Sequence, residues 1–351
     1  MKKIPVGILG ATGIVGQRLL LMLADHPWFE IKALTASDDS ADKAYSEVCQ
    51  WKMKEPIPEK YRKTRILKTT PDIDCRLVFS ALTSTAAQVL EKQFALCGFA
   101  VVSNAGAHRM NRNVPLIIPE VNAGHIDIVE NQSNGHEDGR GYIVTNPNCV
   151  AVPLSMVLAP LHRKWGIKQV IVSTMQAVSG AGYPGNSSMD LIDNVIPFIK
   201  NEEEKIETET KKILGVLNVD KIIPARMDIS AQVHRVPVQD GHLLSASIKF
   251  NNKVRITDVI GEIKKDSSAV KNMKLPSMPE RPLVYHEEID RPQPRLDRDT
   301  GKGMSVVVGR IRKCSVLDVK MNILGHNTIR GAAGAAVLNA ELLKVKGMLQ
   351  I

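Results

Sequence analysis

The sequence predicts an α/β fold in two parts: a parallel α/β sheet over the first half, then an α+β unit with a mostly antiparallel sheet. Three observations predict it. Short apolar runs alternate with helical patterns through the first half. A glycine-rich turn stands between the first run and the first helix. From Val170 the texture changes to longer runs with partial alternation, which suit an antiparallel sheet covered on one face. At 351 residues, two domains are the natural division.

In chain order, IPVGIL is a first strand, GATGIVGQRLLLMLADH a turn opening a helix, and FEIKALTAS a second strand. CRLVFSAL, residues 75–82, is a further strand. STAAQVLEKQFALCG is a helix ending at Gly98, and FAVVSNA the next strand. The polar stretch 131–141 reads as a loop, and VAVPLSMVLAPLHRKW has helical spacing. Beyond it, KQVIVSTMQAVSG, HLLSASIKFN and SVVVGRIRKCSVLDVKMNILG read as long strands, with DLIDNVIPFI and NEEEKIETETKKILG as helices between them. The closing helix, TIRGAAGAAVLNAELLKVKG, is expected to return to the first domain. This places one domain at 1–148 plus 327–351 and the other at 149–326.

Aromatic residues are only 4%, too few for a platform that stacks single-stranded nucleic acid. The net charge is +9, yet basic clusters are short (60–65 and 309–313), which favours small anionic substrates over nucleic acid or a membrane surface. Five cysteines, at 49, 75, 97, 149 and 314, form no C-x-x-C pair, so neither a disulfide framework nor a zinc site is expected, and no metal. No apolar run reaches the roughly 18 residues of a membrane span. With no cleavable leader at the N-terminus, a reducing cytoplasm is the expected location.

Two local patterns carry chemistry. Gly10, Thr12, Gly13, Ile14, Val15 and Gly16 lie between strand and helix, where glycines let a pyrophosphate approach the helix N–H groups. That reads as a Rossmann-type dinucleotide site, although the spacing is G-x-x-G-x-x-G. TNPNC, residues 145–149, is a tight turn that sets Cys149 at a helix N-terminus, where backbone N–H groups and the macrodipole favour a thiolate nucleophile.

The strings GATGIVGQR, FSAL, SNAGAHRM, IIPEVN, TNPNC, TMQAVSGAGYPG, NEEEKIETETKKIL, SAQVHRVPVQDGH, RPQPRLDRD and GHNTIRGAAGAA occur in order along nearly the whole chain. Together they resemble the aspartate-β-semialdehyde dehydrogenase family, most closely its archaeal and fungal branch. The resemblance implies an NADP-binding domain, a second domain for catalysis and dimer contacts, and reductive dephosphorylation of L-4-aspartyl phosphate, in biosynthesis of lysine, threonine, methionine and isoleucine. It implies Cys149 as nucleophile, His242 as general acid–base and Gln176 as the residue positioning the acyl group. Arg235 would take the substrate carboxylate and Glu203 its ammonium, with Arg109, Lys205 and Asn104 around the phosphate. For the cofactor it implies Ser37, Ser40, Ser80, the loop Ser179, Gly180 and Gly182, and Asn327 at the nicotinamide carboxamide. His234, eight residues before His242, is expected to be peripheral. The expected partners are substrate, inorganic phosphate and a second copy, as a homodimer or homotetramer.

The chain departs from the family pattern in three places. Val150 follows the nucleophile where Ser is usual, and Gly106 stands where Ser is common. Family members often carry Arg where this chain has Asp39, within Ser37-Asp38-Asp39-Ser40-Ala41-Asp42-Lys43. An acidic residue about 20 residues past the glycine turn usually meets the ribose 2′-OH of NAD. NADP use with a weakened preference, and real activity with NAD, is therefore expected. A rival on the same scaffold is malonyl-CoA reductase, whose substrate has no amino group for an acidic side chain to meet.

Overall fold

The computed structural model describes residues 2–132, 141–265 and 268–349. Most of the expected 131–141 loop therefore lies outside the described residues.

The first sheet holds β1 (Ile4–Leu9), β2 (Phe29–Ala36), β3 (Leu67–Lys68), β4 (Leu77–Ser80), β5 (Ala100–Ser103) and β6 (Tyr142–Thr145). Their order is β3-β2-β1-β4-β5-β6 and every pairing is parallel. The order reverses beside β1, and a doubly wound sheet opens its ligand crevice there, at the carboxyl ends of the strands. The glycine turn occupies that position. Two of its glycines are obligatory. Gly10 has φ +76° and a Cβ would sit 2.8 Å from Ala81 O; at Gly16 a Cβ would sit 2.3 Å from Gly10 O.

The second sheet contains β7 (Ile167–Gln176), β10 (Asp228–Arg235), β11 (His242–Phe250), β12 (Leu283–His286), β13 (Val306–Lys313) and β14 (Val319–Gly325), in the order β10-β7-β11-β14-β13-β12. A separate hairpin pairs β8 (Val216–Asn218) with β9 (Lys221–Ile223). The three central pairings of the large sheet are antiparallel, and the two outer ones, β10 with β7 and β12 with β13, are parallel. The sheet is thus mostly antiparallel, as expected, with parallel pairings at its two edges. One face packs on the helices Ala151–Trp165, Glu202–Ile213 and Ile256–Lys264 in a continuous apolar core. The helix Gly334–Val345 packs with β5 and the helix Ile14–Ala24, joining the core of the first sheet.

The segment DLIDNVIPFI does not form the expected helix. Only Ser188–Leu191 makes a turn of one. Asp193 takes φ +56°, the Asn194 side chain accepts from the next backbone N–H, and Pro197 removes a donor. Ile192, Val195 and Phe198 stay exposed, so no buried face rewards a helix here. The run SVVVGRIRKCSVLDVKMNILG divides into β13 and β14.

A buried ion pair locks the closing segment against the loop after β5. Arg330 donates through both terminal nitrogens to the Glu120 carboxylate, at 2.8 and 2.7 Å, and both side chains are almost wholly inaccessible. Removing one partner of such a pair strands a buried charge, at about 3–5 kcal/mol. Arg330→Leu is expected to lower unfolding stability by that amount in urea titration. A loss below about 1 kcal/mol would mean that Glu120 finds another partner. No helix among the described residues is long and apolar enough to cross a membrane.

Candidate active site

Cys149 stands two residues before the helix Ala151–Trp165, at the end of the turn leaving β6. Its position is set by hydrogen bonds to that turn. Asn148 Oδ1 accepts from Val150 N at 2.8 Å and Ala151 N at 3.3 Å, capping the helix. Glu209 Oε2 accepts from Asn148 N at 2.6 Å, and Glu202 Oε1 from Asn148 Nδ2 at 2.8 Å. Behind the sulfur, Gly331 leaves no room for a side chain: a Cβ there would lie 2.6 Å from Cys149 Cβ.

His242 opens β11 directly after Gly241, whose φ is +96°. Its Nε2 lies 3.2 Å from Cys149 Sγ, and its Nδ1 accepts the Ala177 N–H at 3.0 Å. Arg235 closes β10 and donates to Ala177 O at 2.7 Å, so residue 177 touches both cation and imidazole. Gly180 runs alongside them, since a Cβ there would lie 3.0 Å from an Arg235 terminal nitrogen and 3.2 Å from the His242 ring. Burial, then the charge of Glu202, pushes the Cys149 thiol up to about 12, against the pull of Arg109 and Arg235. Burial, with Arg235 and His326 adding to it, pushes the His242 imidazole down to about 3. Burial thus disfavours the charged form of each group, and at the thiol it opposes the helix N-terminus that was expected to ease ionisation.

A cleft of about 780 Å³ is lined by Ile14, Arg18 and Lys52 from the first half of the chain and by Ser179, Gly182 and Tyr183 from the second; Asp240 and His326, on its wall, bring it towards His242. The residues present fit a dinucleotide. The helix Ile14–Ala24 starts at Gly13 with no side chain capping it, so its first N–H groups remain for a pyrophosphate. A Cβ at Gly182 would meet nothing within 4 Å.

Two family models match the chain: the semialdehyde dehydrogenase NAD binding domain over residues 5–129, and the semialdehyde dehydrogenase dimerisation domain over 158–330. The aspartate-semialdehyde dehydrogenase of Archaeoglobus fulgidus is 48% identical over 339 residues, covering 96% of this chain and 97% of its own. The chain belongs to the aspartate-semialdehyde dehydrogenase family. The Candida albicans member is 44% identical over 360 residues, covering 98% of each chain. A crystal structure of aspartate semialdehyde dehydrogenase with NADP from that organism superposes with a TM-score of 0.91 at 43% identity, covering 99% of this chain and all of its own.

With the aspartate-semialdehyde dehydrogenase family established, several expected residues sit elsewhere than expected. Glu203 does not face Cys149. It accepts from Val233 N at 3.2 Å on the rim of β10, whereas Glu202 is buried beside the nucleophile's turn. Lys205 pairs with Glu202 at 3.7 Å, three residues back. The reason is helical phase: Glu202, Ile206, Glu209 and Ile213 form one buried stripe, and Glu203 lies off it. Arg109 is held from two sides. It donates to Glu209 Oε1 at 3.0 Å and to Asn104 O at 2.7 Å, with Nε buried and unpartnered among the described residues. Asn104 is engaged at both ends of its amide, by Ser80 O and by Asn146 Nδ2.

Among the cofactor residues, Ser80 is fully buried at the end of β4. Ser37 and Ser40 lie 3.4 Å apart beyond β2, with Lys43 folded back onto Asp39 O at 2.8 Å and the Asp38 and Asp39 residues exposed. Asn327 donates to Ser179 Oγ at 2.8 Å and accepts Gly241 N at 2.9 Å, tying the cofactor loop to the turn before His242. Gln176 ends β7 in register with Arg235, buried, and donates to Thr174 Oγ1 at 3.3 Å. His234 points at Thr174 O, 3.2 Å away, one residue out of phase with Arg235 on the same strand.

Sequence reasoning did not single out Lys212, Glu209 or His326. The buried Lys212 ammonium donates to the carbonyls of Arg109, Asn111 and Val114, at 2.7, 2.8 and 2.8 Å. Burial brings its pKa down to about 8. It fixes the loop that carries Arg109.

Proposed function

We propose that this chain catalyses the NADPH-dependent reductive dephosphorylation of L-4-aspartyl phosphate to L-aspartate 4-semialdehyde. The observation that carries the proposal is the Cys149–His242 contact of 3.2 Å at a helix start, beside the dinucleotide cleft. An acyl phosphate becomes an aldehyde most readily through a thioester, since covalent catalysis divides one hard step into two. Cys149 attacks the acyl carbon, and phosphate departs. The nicotinamide cofactor supplies hydride when bound, held by Gly10, Thr12, Gly13, Ile14 and Val15 at the pyrophosphate, by Ser37 and Ser40 at the 2′-phosphate, and by Ser179, Gly180, Gly182 and Asn327 around the nicotinamide. The Cys149 N–H at the helix start steadies the oxyanion.

Arg235 takes the substrate carboxylate, for which a planar guanidinium is matched. Glu202 replaces Glu203 as the ammonium partner, which favours an amino-acid substrate over malonyl-CoA. Lys205 and Arg109 serve the phosphate, and Gln176 orients the acyl group. Residues 1–148 with 327–351 form the dinucleotide unit and 149–326 the catalytic one. The outer face of the second sheet, with Ile171 half exposed, fits a homodimer, two of which can form a tetramer. The expected setting is the cytoplasm.

Arg235→Lys is expected to raise the KM for semialdehyde by at least about tenfold while leaving that for phosphate within about twofold, because a point charge cannot reproduce the fork. Arg109→Leu should raise the phosphate KM and lower kcat as well, since it releases Glu209 from one side of the nucleophile's turn. If Arg235→Lys moves only the phosphate KM, the two ends of the substrate have been assigned backwards.

The proposal is tested by initial rates with aspartate semialdehyde plus phosphate, against malonyl-CoA, each with NADP(H) and NAD(H). Activity on the first and none on the second is expected. A carboxylate within about 4 Å of a phosphate costs about 1–4 kcal/mol, so Asp39 should hold the NADP preference below about 1000-fold, or about 4 kcal/mol. Asp39→Arg should raise that preference at least about tenfold. A wild-type preference above about 1000-fold, or one unmoved by Asp39→Arg, would contradict this account of the loop.

A further inference from the structure

We propose that Lys52 and Tyr183 form a strap across the dinucleotide cleft, and that this strap sets the rate at which the nicotinamide cofactor leaves. The inference rests on the reading of that cleft as the cofactor's site, and it adds two positioning residues to those named there. Its observation is the Lys52 ammonium, 4.2 Å from the centroid of the Tyr183 ring. The two residues come from opposite walls of the cleft, Lys52 from the first half of the chain and Tyr183 from the loop after β7. A cation over an aromatic face is attracted by the quadrupole of the ring, and the attraction persists at exposed sites. Tyr183 is 57% exposed, so the contact joins the walls without burying them.

Each end of the strap is tied to one end of the proposed cofactor site. Gln17, almost wholly buried on the helix Ile14–Ala24, accepts from Lys52 N at 2.8 Å. Its Nε2 donates to Thr12 O at 2.8 Å and to Gln50 O at 3.1 Å. Tyr45 donates its hydroxyl to Ala11 O at 3.0 Å and meets Trp51 edge-on. The Lys52 backbone is thereby fixed to the glycine turn. On the other wall, Val178 N and Ser179 N donate to Val238 O and Gln239 O, and Gly182 N donates to Ser179 O. Tyr183 follows directly on this loop. Tyr183, Gly185 and Asn186 donate no backbone hydrogen bond among the described residues, so the position of the ring depends on the Lys52 contact.

Release requires the two walls to part, since the glycine turn lies on one and Ser179 and Gly182 on the other. Parting them draws the ammonium off the ring, so the free energy of the contact is added to the barrier for release. The contribution is modest: an exposed cation–π contact changes such a rate by about two- to fivefold. The attraction needs a cation and a π-face, and neither the ammonium nor the phenolic hydroxyl as such. A guanidinium stacks on aromatic faces as well, and a phenylalanine ring keeps the π-face. Methionine keeps an unbranched chain at residue 52 without the charge, and leucine keeps an apolar side chain at residue 183 without the ring.

The test is stopped-flow release of NADPH from the full chain, followed by cofactor fluorescence after mixing with excess NADP⁺. Lys52→Met and Tyr183→Leu are each expected to raise the release rate constant about two- to fivefold. The double variant should go no further than the larger single one, because the second change removes a contact already lost. Lys52→Arg and Tyr183→Phe should release NADPH at the wild-type rate. Effects that multiply in the double variant overturn the inference, as does a Tyr183→Phe effect as large as that of Tyr183→Leu. A rise confined to Lys52→Met overturns it too, since the ammonium would then act on the cofactor directly. If the wild type binds NADPH and every variant releases it at the same rate, the strap falls and the proposed function stands. A wild type that binds no NADPH contradicts both.

Discussion

Cys149→Ser is expected to lower kcat by at least about 10⁴-fold, the scale seen when a covalent nucleophile is removed, with NADP affinity unchanged. The hydroxyl fits the space, because the sulfur is already held between Gly331 and His242. What fails is reactivity. A serine hydroxyl at neutral pH is a far weaker nucleophile than a thiol. Cofactor affinity is the control, measured by fluorescence titration, since the glycine turn and the Ser179–Gly182 loop do not depend on the sulfur. A serine variant within about 100-fold of wild type would remove the covalent step from the account.

The second large effect is expected at His242. His242→Asn withdraws the ring nitrogen that reaches Sγ and leaves Ala177 N–H to find another acceptor. A fall in kcat of about 10²–10⁴-fold is expected, the usual scale for general acid–base help. His234→Asn, on the other phase of β10, should stay within about twofold. Steady-state kinetics on both variants separates the two histidines. Equal losses would mean that the strand phase carries no functional distinction.

What the sequence made legible was local. The glycine turn and the TNPNC turn each join a strand to a helix within a few residues, so spacing alone placed Gly13 and Cys149 at helix starts. The glutamates are a mixed case. Glu202 and Glu209 share a buried stripe with Ile206 and Ile213, a 3.6-residue period visible in the string EEEKIETETKKI. That period separates Glu202 from Glu203 within the sequence itself. Lys212 and the Arg109–Glu209 pair lie beyond local reading, because their partners are about 100 residues away in sequence. The four-residue strands β6 and β12 are too short to show alternation. DLIDNVIPFI misled for a different reason: it has helical composition without a surface to bury its apolar side. The thiol was expected to ionise easily at a helix N-terminus, and burial beside Glu202 reverses the sign.

The central claim is a thioester on Cys149. Mixing the enzyme with aspartate semialdehyde and NADP⁺ without phosphate, quenching in acid and mapping peptides by mass spectrometry tests it most directly. The account predicts one aspartyl adduct per chain, on Cys149 alone among the five cysteines, formed together with a burst of reduced cofactor and discharged when phosphate is added. An adduct on Cys49, Cys75, Cys97 or Cys314, or a full burst with Cys149 unmodified, would contradict it.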